Sequence, residues 1–291
     1  MAESDQDPDR RQQGPRRLTD GVFYCIAGAC GLVTGVIGAG FHLAVDALLH
    51  WPDWLVDRMG MGPLTIAAGA AVAAIGVTAA WVLTRYVAPE ASGSGVPEVE
   101  GALEGKREVR WRRVLPVKLV GGVLGLSSGL VAGREGPTIH AGASIGAALA
   151  EWLRLDRMDL HTLLAAGAAA GLSAAFNAPL AAVLFVIEET RKQFRYTFRS
   201  YVAVIVASAA SGYGMELVGG TAPPLFLDTQ TLPLALMPAF LALGVALGGL
   251  GVIFNKSLIL ALDWRARAFA RVPMLYAVLV GAAIEIGRAH V

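Results

Sequence analysis

The segment "GREGPTIHAG", Gly133 to Gly142, places an arginine and a glutamate side by side between two long apolar stretches. The dipeptide Gly136–Pro137 predicts that a helix begins there, because proline suits the first helical turn. Charged side chains at membrane depth are costly and usually mark a functional site. We therefore expect Arg134 and Glu135 to belong to such a site, and a local salt bridge between them is the structural alternative.

The rest of the chain supports a membrane setting for this segment. Of its 291 residues, 55% are hydrophobic and only 16% are charged, with a mean hydropathy of +0.56, whereas soluble domains carry about 25% charged residues. Apolar blocks of roughly 17–25 residues fit the thickness of a bilayer. The sequence predicts an all-α, polytopic membrane protein with broken and re-entrant helices. The blocks are Gly21 to Leu49, Leu64 to Val87, Val114 to Val131, Leu163 to Ile187, Val202 to Val218 and Leu232 to Leu262.

The two ends of the chain differ from this pattern. Residues 1–20 carry four arginines and five acids, which is too polar for a signal peptide and predicts a disordered cytoplasmic tail. Residues 21–291 are expected to form one transmembrane domain. An apolar stretch that starts at Pro273 is interrupted by "EIGRAHV", which we interpret as a truncation whose last residues are not native.

Clusters of basic residues predict the topology, because positive charge collects on the cytoplasmic side. All clusters lie on one side if "GSGVPEVEG" and "GREGPTIHAG" are dips into the membrane, and the N-terminus is then cytoplasmic. A formal net charge of +1 gives no indication of nucleic-acid binding. The clusters are Arg16–Arg17, Lys106 to Arg113, Arg154–Arg157, Arg191 to Arg199 and Arg265 to Arg271.

Small residues recur at helical spacing, which is typical of helices that pack closely in a bilayer. The 35 glycines include a ladder with a spacing of four residues, and four further pairs repeat that spacing. We expect Cys25 and Cys30 to be packing residues. The ladder is Gly121, Gly125, Gly129 and Gly133, and the pairs are Gly31/Gly35, Gly142/Gly146, Gly167/Gly171 and Gly244/Gly248.

A first candidate anion site lies in "GSGVPEVEG", Gly93 to Gly101. Pro97 predicts a short helix that begins near Val96, and its free N–H groups together with the Ser94 hydroxyl would suit an anion. The alternative is a simple turn in which Ser94 caps the helix.

Glu135 would sit at a second helix start. The helix dipole favours a carboxylate there, whereas burial disfavours its charge, so Glu135 could gain and lose a proton. A carboxylate also resembles a bound anion, so Glu135 could occupy an anion site and leave it when protonated.

A third segment, Gly167 to Glu189, predicts a small-residue helix that breaks at Phe176 to Pro179, followed by a second helix. That helix ends in Glu188 and Glu189. Either both acids are solvated at the interface, or one takes up protons from the cytoplasm. The histidines, serines and glycine triplets show no metal, catalytic or nucleotide pattern. We expect no enzyme activity and no cofactor, and an intramembrane enzyme is only a remote alternative.

Together, the segments "GSGVPEVEG", "GREGP" and "GLSAAFNAPLAAVLFVIEE" resemble the signature segments of the CLC family of chloride channels and chloride/proton antiporters, and "FRYTF" and "IFNK" fit as well. The resemblance covers roughly Gly93 to Lys256. It implies a homodimer in the lipid bilayer, two inverted halves with broken helices in each subunit, and chloride and protons as the transported ions.

The resemblance also implies residue roles. Ser94, between Gly93 and Gly95, would coordinate chloride, with main-chain amides around Arg134 and Gly136 holding anions near the outer site. Glu135 would be the external gating glutamate and Glu189 the internal proton-transfer glutamate.

Glu189 favours an antiporter over a passive voltage-gated channel of the same family, since channels tend to lack that acid. A bacterial plasma membrane is the expected location. One departure is plain: the second anion-site loop and the coordinating tyrosine of the family are not found in these 291 residues. The chain by itself is therefore expected to be inactive.

Overall fold

The computed structural model describes residues 18–194, 196–220 and 233–288, and the regular structure in these ranges is helical. This confirms the all-α prediction. Most of the predicted tail lies outside the described residues, and its last residue, Asp20, already belongs to the first helix. Residues 289–291, where the non-native ending was predicted, also lie outside them.

The described α-helices follow the predicted blocks closely. Short 3-10 turns cover Pro89–Ala91 and Leu234–Leu236, and a π-helical turn, Leu83–Val87, extends the third helix. In chain order the α-helices are α1 Asp20–Leu49, α2 Trp51–Met59, α3 Pro63–Val82, α4 Val96–Leu103, α5 Trp111–Ser127, α6 Glu135–Trp152, α7 Arg157–Phe176, α8 Pro179–Thr190, α9 Phe198–Gly219, α10 Met237–Ala268 and α11 Pro273–Arg288.

Long apolar segments and short broken helices alternate along the chain. The predicted block from Leu163 to Ile187 is divided between α7 and α8, with Asn177 in the left-handed conformation (φ +50°) between them. Pro179 then opens α8, since proline cannot continue α7. Within the described ranges, five segments are long and apolar enough to cross a membrane: Asp20–Met59, Pro63–Val87, Arg157–Phe176, Phe198–Gly219 and Met237–Ala268.

Small residues allow the central helices α1, α6, α7 and α9 to touch backbone to backbone. A β-carbon on Gly142 would overlap the main chain of Gly167, and one on Gly167 would overlap that of Gly142. Gly31 and Gly35 face the main chain of α9 in the same way. Close approach of this kind increases van der Waals contact between helices, as the glycine pairs predicted.

Two of the predicted glycine patterns do not form continuous packing faces, although Gly121 and Gly125 of the ladder do face Ala80. Helix α5 ends at Ser127, so Gly129 (φ +90°) and Gly133 of the ladder lie in the connection after it. Gly244 and Gly248 on α10 have nothing within 4 Å of an added β-carbon. A spacing of four residues has packing significance only within one continuous helix that has a neighbour.

A largely buried arginine connects the starts of α1, α7 and α9. Arg199 donates to the Asp159 carboxylate, to the Leu18 carbonyl and to Asp20. At the same end of the bundle, Arg112 pairs with Glu151. Basic residues from two of the predicted clusters thus form ion pairs at this end, and the position of the five clusters relative to a membrane stays a prediction.

Candidate functional site

The turn before α4 holds the first predicted site in a conformation that requires glycine. Gly93 and Gly95 have φ values of +73° and +92°, which side chains rarely tolerate. Ser94 between them is exposed, and α4 starts at Val96 as predicted. Gly95 is the N-cap residue and α4 has no side-chain cap, so the Ser94 hydroxyl is not used for capping.

The start of α6 lies directly against this turn. A β-carbon on Gly136 would overlap the Ser94 carbonyl group, whose carbon would be 3.0 Å away. A β-carbon on Gly95 would be 2.7 Å from Cβ of His140, one turn further along α6. The two helix N-termini, each with main-chain N–H groups that lack helical acceptors, therefore meet. Such an arrangement favours an anion.

Arg134 does not form its ion pair with the neighbouring Glu135. Its guanidinium binds the carboxylate of Asp46 on α1, so the predicted alternative of a local salt bridge is wrong. The reason is geometric: Arg134 precedes the first turn of α6 and extends across to α1, whereas the Glu135 carboxylate folds back over Gly133.

Two cavities meet at these residues. One has a volume of about 800 Å³ and the other about 600 Å³, and Ser94, Glu135 and Gly136 line both. The larger cavity continues along α3, α5 and α11, and includes Lys118. The smaller one continues along α7 and α8 past Phe176. A carboxylate at position 135 therefore borders both spaces and can influence an anion in either.

The second pair of predicted acids lies at the end of α8. Glu188 and Glu189 are both exposed, as the solvated alternative required. Glu189 nevertheless has a specific neighbour, Glu100 on α4, because burial and then the negative charge of Glu189 raise the pKa of Glu100. The two carboxyl groups therefore lie close together. Helix α4 thus carries the Ser94 turn at its start and Glu100 near its end.

Three side chains at the site were not predicted from the sequence: Lys118, Asp46 and Glu100. Lys118 is 6% exposed, and its ammonium group donates to the carbonyls of Ala91 (2.9 Å) and Gly93 (2.6 Å). A signal was present, since Lys118 is a lone charge inside an apolar block. No sequence signal connects Asp46 with Arg134, or Glu100 with Glu189.

Glu90 lies just before the anion-site turn and is held by two arginines. Its carboxylate binds Arg113, and Arg110 is 3.8 Å away. Burial by itself raises the pKa of Glu90, but a main-chain hydrogen bond and the two arginines outweigh burial, so the pKa is below its usual value of 4.5. Glu90 is therefore an anionic anchor for the segment that leads to Ser94.

Metal chemistry has no support in the described part of the chain. Among those residues, no group of three or more histidines, cysteines and acids is arranged to hold a metal ion. Cys25 is exposed and Cys30 is buried, and both are free. The site described above thus consists of main-chain amides, one serine hydroxyl, a lysine and acids.

Comparison with known proteins gives a consistent result. The family profile described as voltage gated chloride channel matches residues 75–288. The H(+)/Cl(-) exchange transporter ClcA of Vibrio cholerae is 44% identical over 237 residues, which are 80% of this chain and 50% of that protein. The ClcA of Citrobacter koseri is 42% identical over 250 residues, 82% of this chain and 51% of that protein.

Solved structures agree with these sequence relatives. A slow cyanobacterial Cl-/H+ antiporter superposes with a TM-score of 0.85 at 36% identity, covering 93% of this chain and 64% of that one. A eukaryotic CLC transporter superposes with a TM-score of 0.69 at 24% identity, covering 91% and 49%, and this similarity concerns the fold. The chain spans about half the length of the curated relatives that it matches.

Proposed function

The chain belongs to the voltage-gated chloride channel (CLC) family, and from this premise we propose that the intact protein exchanges chloride for protons across a bacterial plasma membrane. It does so as a homodimer whose N-terminus is cytoplasmic. ClcA is named as an H(+)/Cl(-) exchange transporter, and the cyanobacterial protein is described as a Cl-/H+ antiporter. Both descriptions support this proposal.

Chloride binds at the junction of α4 and α6. The observation that carries this part is the main-chain contact between Gly136 and Ser94, which brings two helix N-termini together. Main-chain amides of both helix starts surround the ion, together with the Ser94 hydroxyl, which is not used for capping. Gly93, Gly95 and Arg134 shape the binding site. Main-chain donors of this kind stabilise an anion without any bound cofactor.

Glu135 is the gate of this site. Its position beside both cavities supports a carboxylate that competes with chloride while it is ionised. Once protonated, it loses its attraction for the helix N-termini and moves away. Each opening of the gate then requires one proton, which couples the two ions.

Glu189 transfers protons on the other side of the membrane. Its proximity to Glu100, whose pKa is raised by burial and by the charge of Glu189, supports two neighbouring carboxyl groups that pass a proton between them, and its exposure allows exchange with water. The exposed Glu188 beside it is not among the charges that raise the pKa of Glu100. This difference supports Glu189 rather than Glu188 as the transferring acid.

A passive chloride channel is the second candidate. The same anion site would serve a channel, and the proximity of Glu189 to Glu100 is the observation that favours the antiporter. A channel conducts chloride down its gradient only, whereas an antiporter uses that gradient to move protons uphill.

Transport measurements in liposomes distinguish an antiporter from a channel. We would reconstitute the longest reading frame that contains this chain, with the 291-residue chain in parallel, impose a chloride gradient and record internal pH with a dye. Uphill proton movement that stops when chloride is replaced by an impermeant anion would support exchange. Chloride flux without proton movement would contradict it and favour the channel.

A further inference from the structure

Lys118 is a buried cation at the edge of the anion site. It lies on α5, is 6% exposed, and lines the cavity of about 800 Å³ together with Ser94 and Glu135. Its two recorded hydrogen bonds go to the main-chain carbonyls of Ala91 and Gly93. An ammonium group has three N–H donors, so one donor has no protein acceptor in the part of the chain that the structure describes.

Two acids that are close in sequence to the carbonyl groups bound by Lys118 are already paired with arginines. Glu98 forms an ion pair with Arg107, and Glu90 forms one with Arg113. Within the described ranges, no carboxylate forms an ion pair with Lys118 itself. Its positive charge is therefore not neutralised by a contacting residue of those ranges.

An unneutralised charge in this position is unfavourable unless something compensates for it. Two carbonyl acceptors reduce the desolvation penalty of the ammonium group but bring no negative charge. Water in the cavity can accept the third hydrogen bond, and it brings no charge either. A negative ion in the cavity that Lys118 lines would provide what the protein lacks.

We propose that Lys118 is a positioning residue of the chloride site, where its buried charge attracts the anion while its hydrogen bonds hold the turn that presents Ser94. This inference rests on the proposed chloride site. The same charge attracts the ionised Glu135 carboxylate, so the gate and the ion compete for it. A unit charge that acts across roughly 10 Å of protein changes the affinity for an anion by about tenfold.

The test separates charge from hydrogen bonding. In the longest reading frame that contains this chain, Lys118→Gln keeps an N–H donor for the carbonyls but removes the charge, Lys118→Arg keeps the charge, and Lys118→Met removes both. Lys106→Met is the matched control, because the side chain of Lys106 is 75% exposed and paired with Glu104. Chloride affinity is measured by calorimetry in detergent with a chloride-free buffer, and unfolding temperature is recorded for each variant.

We expect chloride affinity to fall about tenfold in Lys118→Gln and Lys118→Met, to stay closer to that of the unsubstituted protein in Lys118→Arg, and to remain unchanged in Lys106→Met. Normal affinity in Lys118→Gln would overturn the inference, because hydrogen bonding alone would then suffice. Equal losses in the Gln and Arg variants would also overturn it. Should Lys118→Met not fold, the comparison of Gln with Arg decides.

The outcome is separable from that of the proposed function. Absence of chloride binding in the unsubstituted protein would overturn both proposals. Chloride binding that depends on Lys118, without proton movement in liposomes, would overturn exchange and leave the role of Lys118 supported. Proton-coupled transport together with an unchanged chloride affinity in Lys118→Gln would support exchange and overturn the role of Lys118.

Discussion

Gly136 faces the Ser94 carbonyl group so closely that a β-carbon at position 136 would overlap it, with the carbonyl carbon 3.0 Å away. This contact joins the start of α6 to the turn before α4, although the two residues are separated by the whole of α5. Glycine alone permits it, because any side chain would push the two helix starts apart.

Gly136→Ala should therefore disrupt the anion site. We expect chloride affinity to fall at least about tenfold and stability to fall by about 1–3 kcal/mol, as in other overpacked positions. Calorimetric chloride titration and thermal unfolding measure the two effects. Gly244→Ala is the matched control, since nothing lies within 4 Å of an added β-carbon there. Unchanged chloride affinity in Gly136→Ala would show that the contact does not shape the site.

Glu135→Gln should abolish proton movement and leave chloride flux intact. The amide cannot ionise, so it neither carries a proton nor competes with chloride as an anion. Chloride efflux and internal pH are recorded together from the same liposomes. Glu216→Gln, an exposed acid at the end of α9, is expected to behave like the unsubstituted protein. If proton coupling persists in Glu135→Gln, Glu135 is not the gate.

Glu189→Gln should uncouple protons while chloride transport continues. The amide keeps the size and polarity of the side chain beside Glu100 but cannot pass on a proton. The neighbouring Glu188→Gln serves as a control, with an expected proton-to-chloride ratio equal to that of the unsubstituted protein. If both ions were lost together in Glu189→Gln, a folding defect rather than proton transfer would explain the result.

Glu90→Gln should reduce stability in a pH-dependent manner. A pKa lowered in the folded state stabilises the fold above the unfolded-state value, and this contribution is lost as pH falls through the folded-state value. The pKa of Glu90 is lowered from 4.5. We thus expect Glu90→Gln to lower the unfolding temperature by roughly 2–4 °C at pH 7. The difference should shrink as pH falls below 4.5 and disappear only below the folded-state pKa.

The control for this measurement is Glu104→Gln, which removes an ion pair with the exposed Lys106. Exposed pairs contribute little, so no measurable change is expected. A constant difference between Glu90→Gln and the unsubstituted protein from pH 7 to pH 3 would rule out ionisation as the source of the stabilisation.

Local chemistry explains why much of the fold was predictable. Apolar blocks of membrane-spanning length indicated the long helices, and Pro97, Pro137 and Pro179 indicated where α4, α6 and α8 begin. Proline and glycine act through the backbone of their own segment, so a single sequence carries this information. The spacing of glycines was less reliable, since Gly129 and Gly133 lie beyond the end of α5.

Contacts between residues that are distant in the sequence were not predicted. Arg134 binds Asp46 instead of its neighbour, and Lys118 is tied to Ala91 and Gly93. Glu100 was not considered as a partner of Glu189. The residues in each of these contacts lie on different segments of the chain, and no propensity or periodicity relates them.

Membrane class, helix starts and candidate residues thus follow from the order of amino acids, because hydrophobic burial and backbone conformation depend on residue type and near neighbours. The meeting of Ser94 with Gly136, the cavities on either side of Glu135 and the unneutralised charge of Lys118 come from helix packing alone. Packing decides them because a close contact between distant segments depends on the summed fit of many side chains, which no short segment specifies.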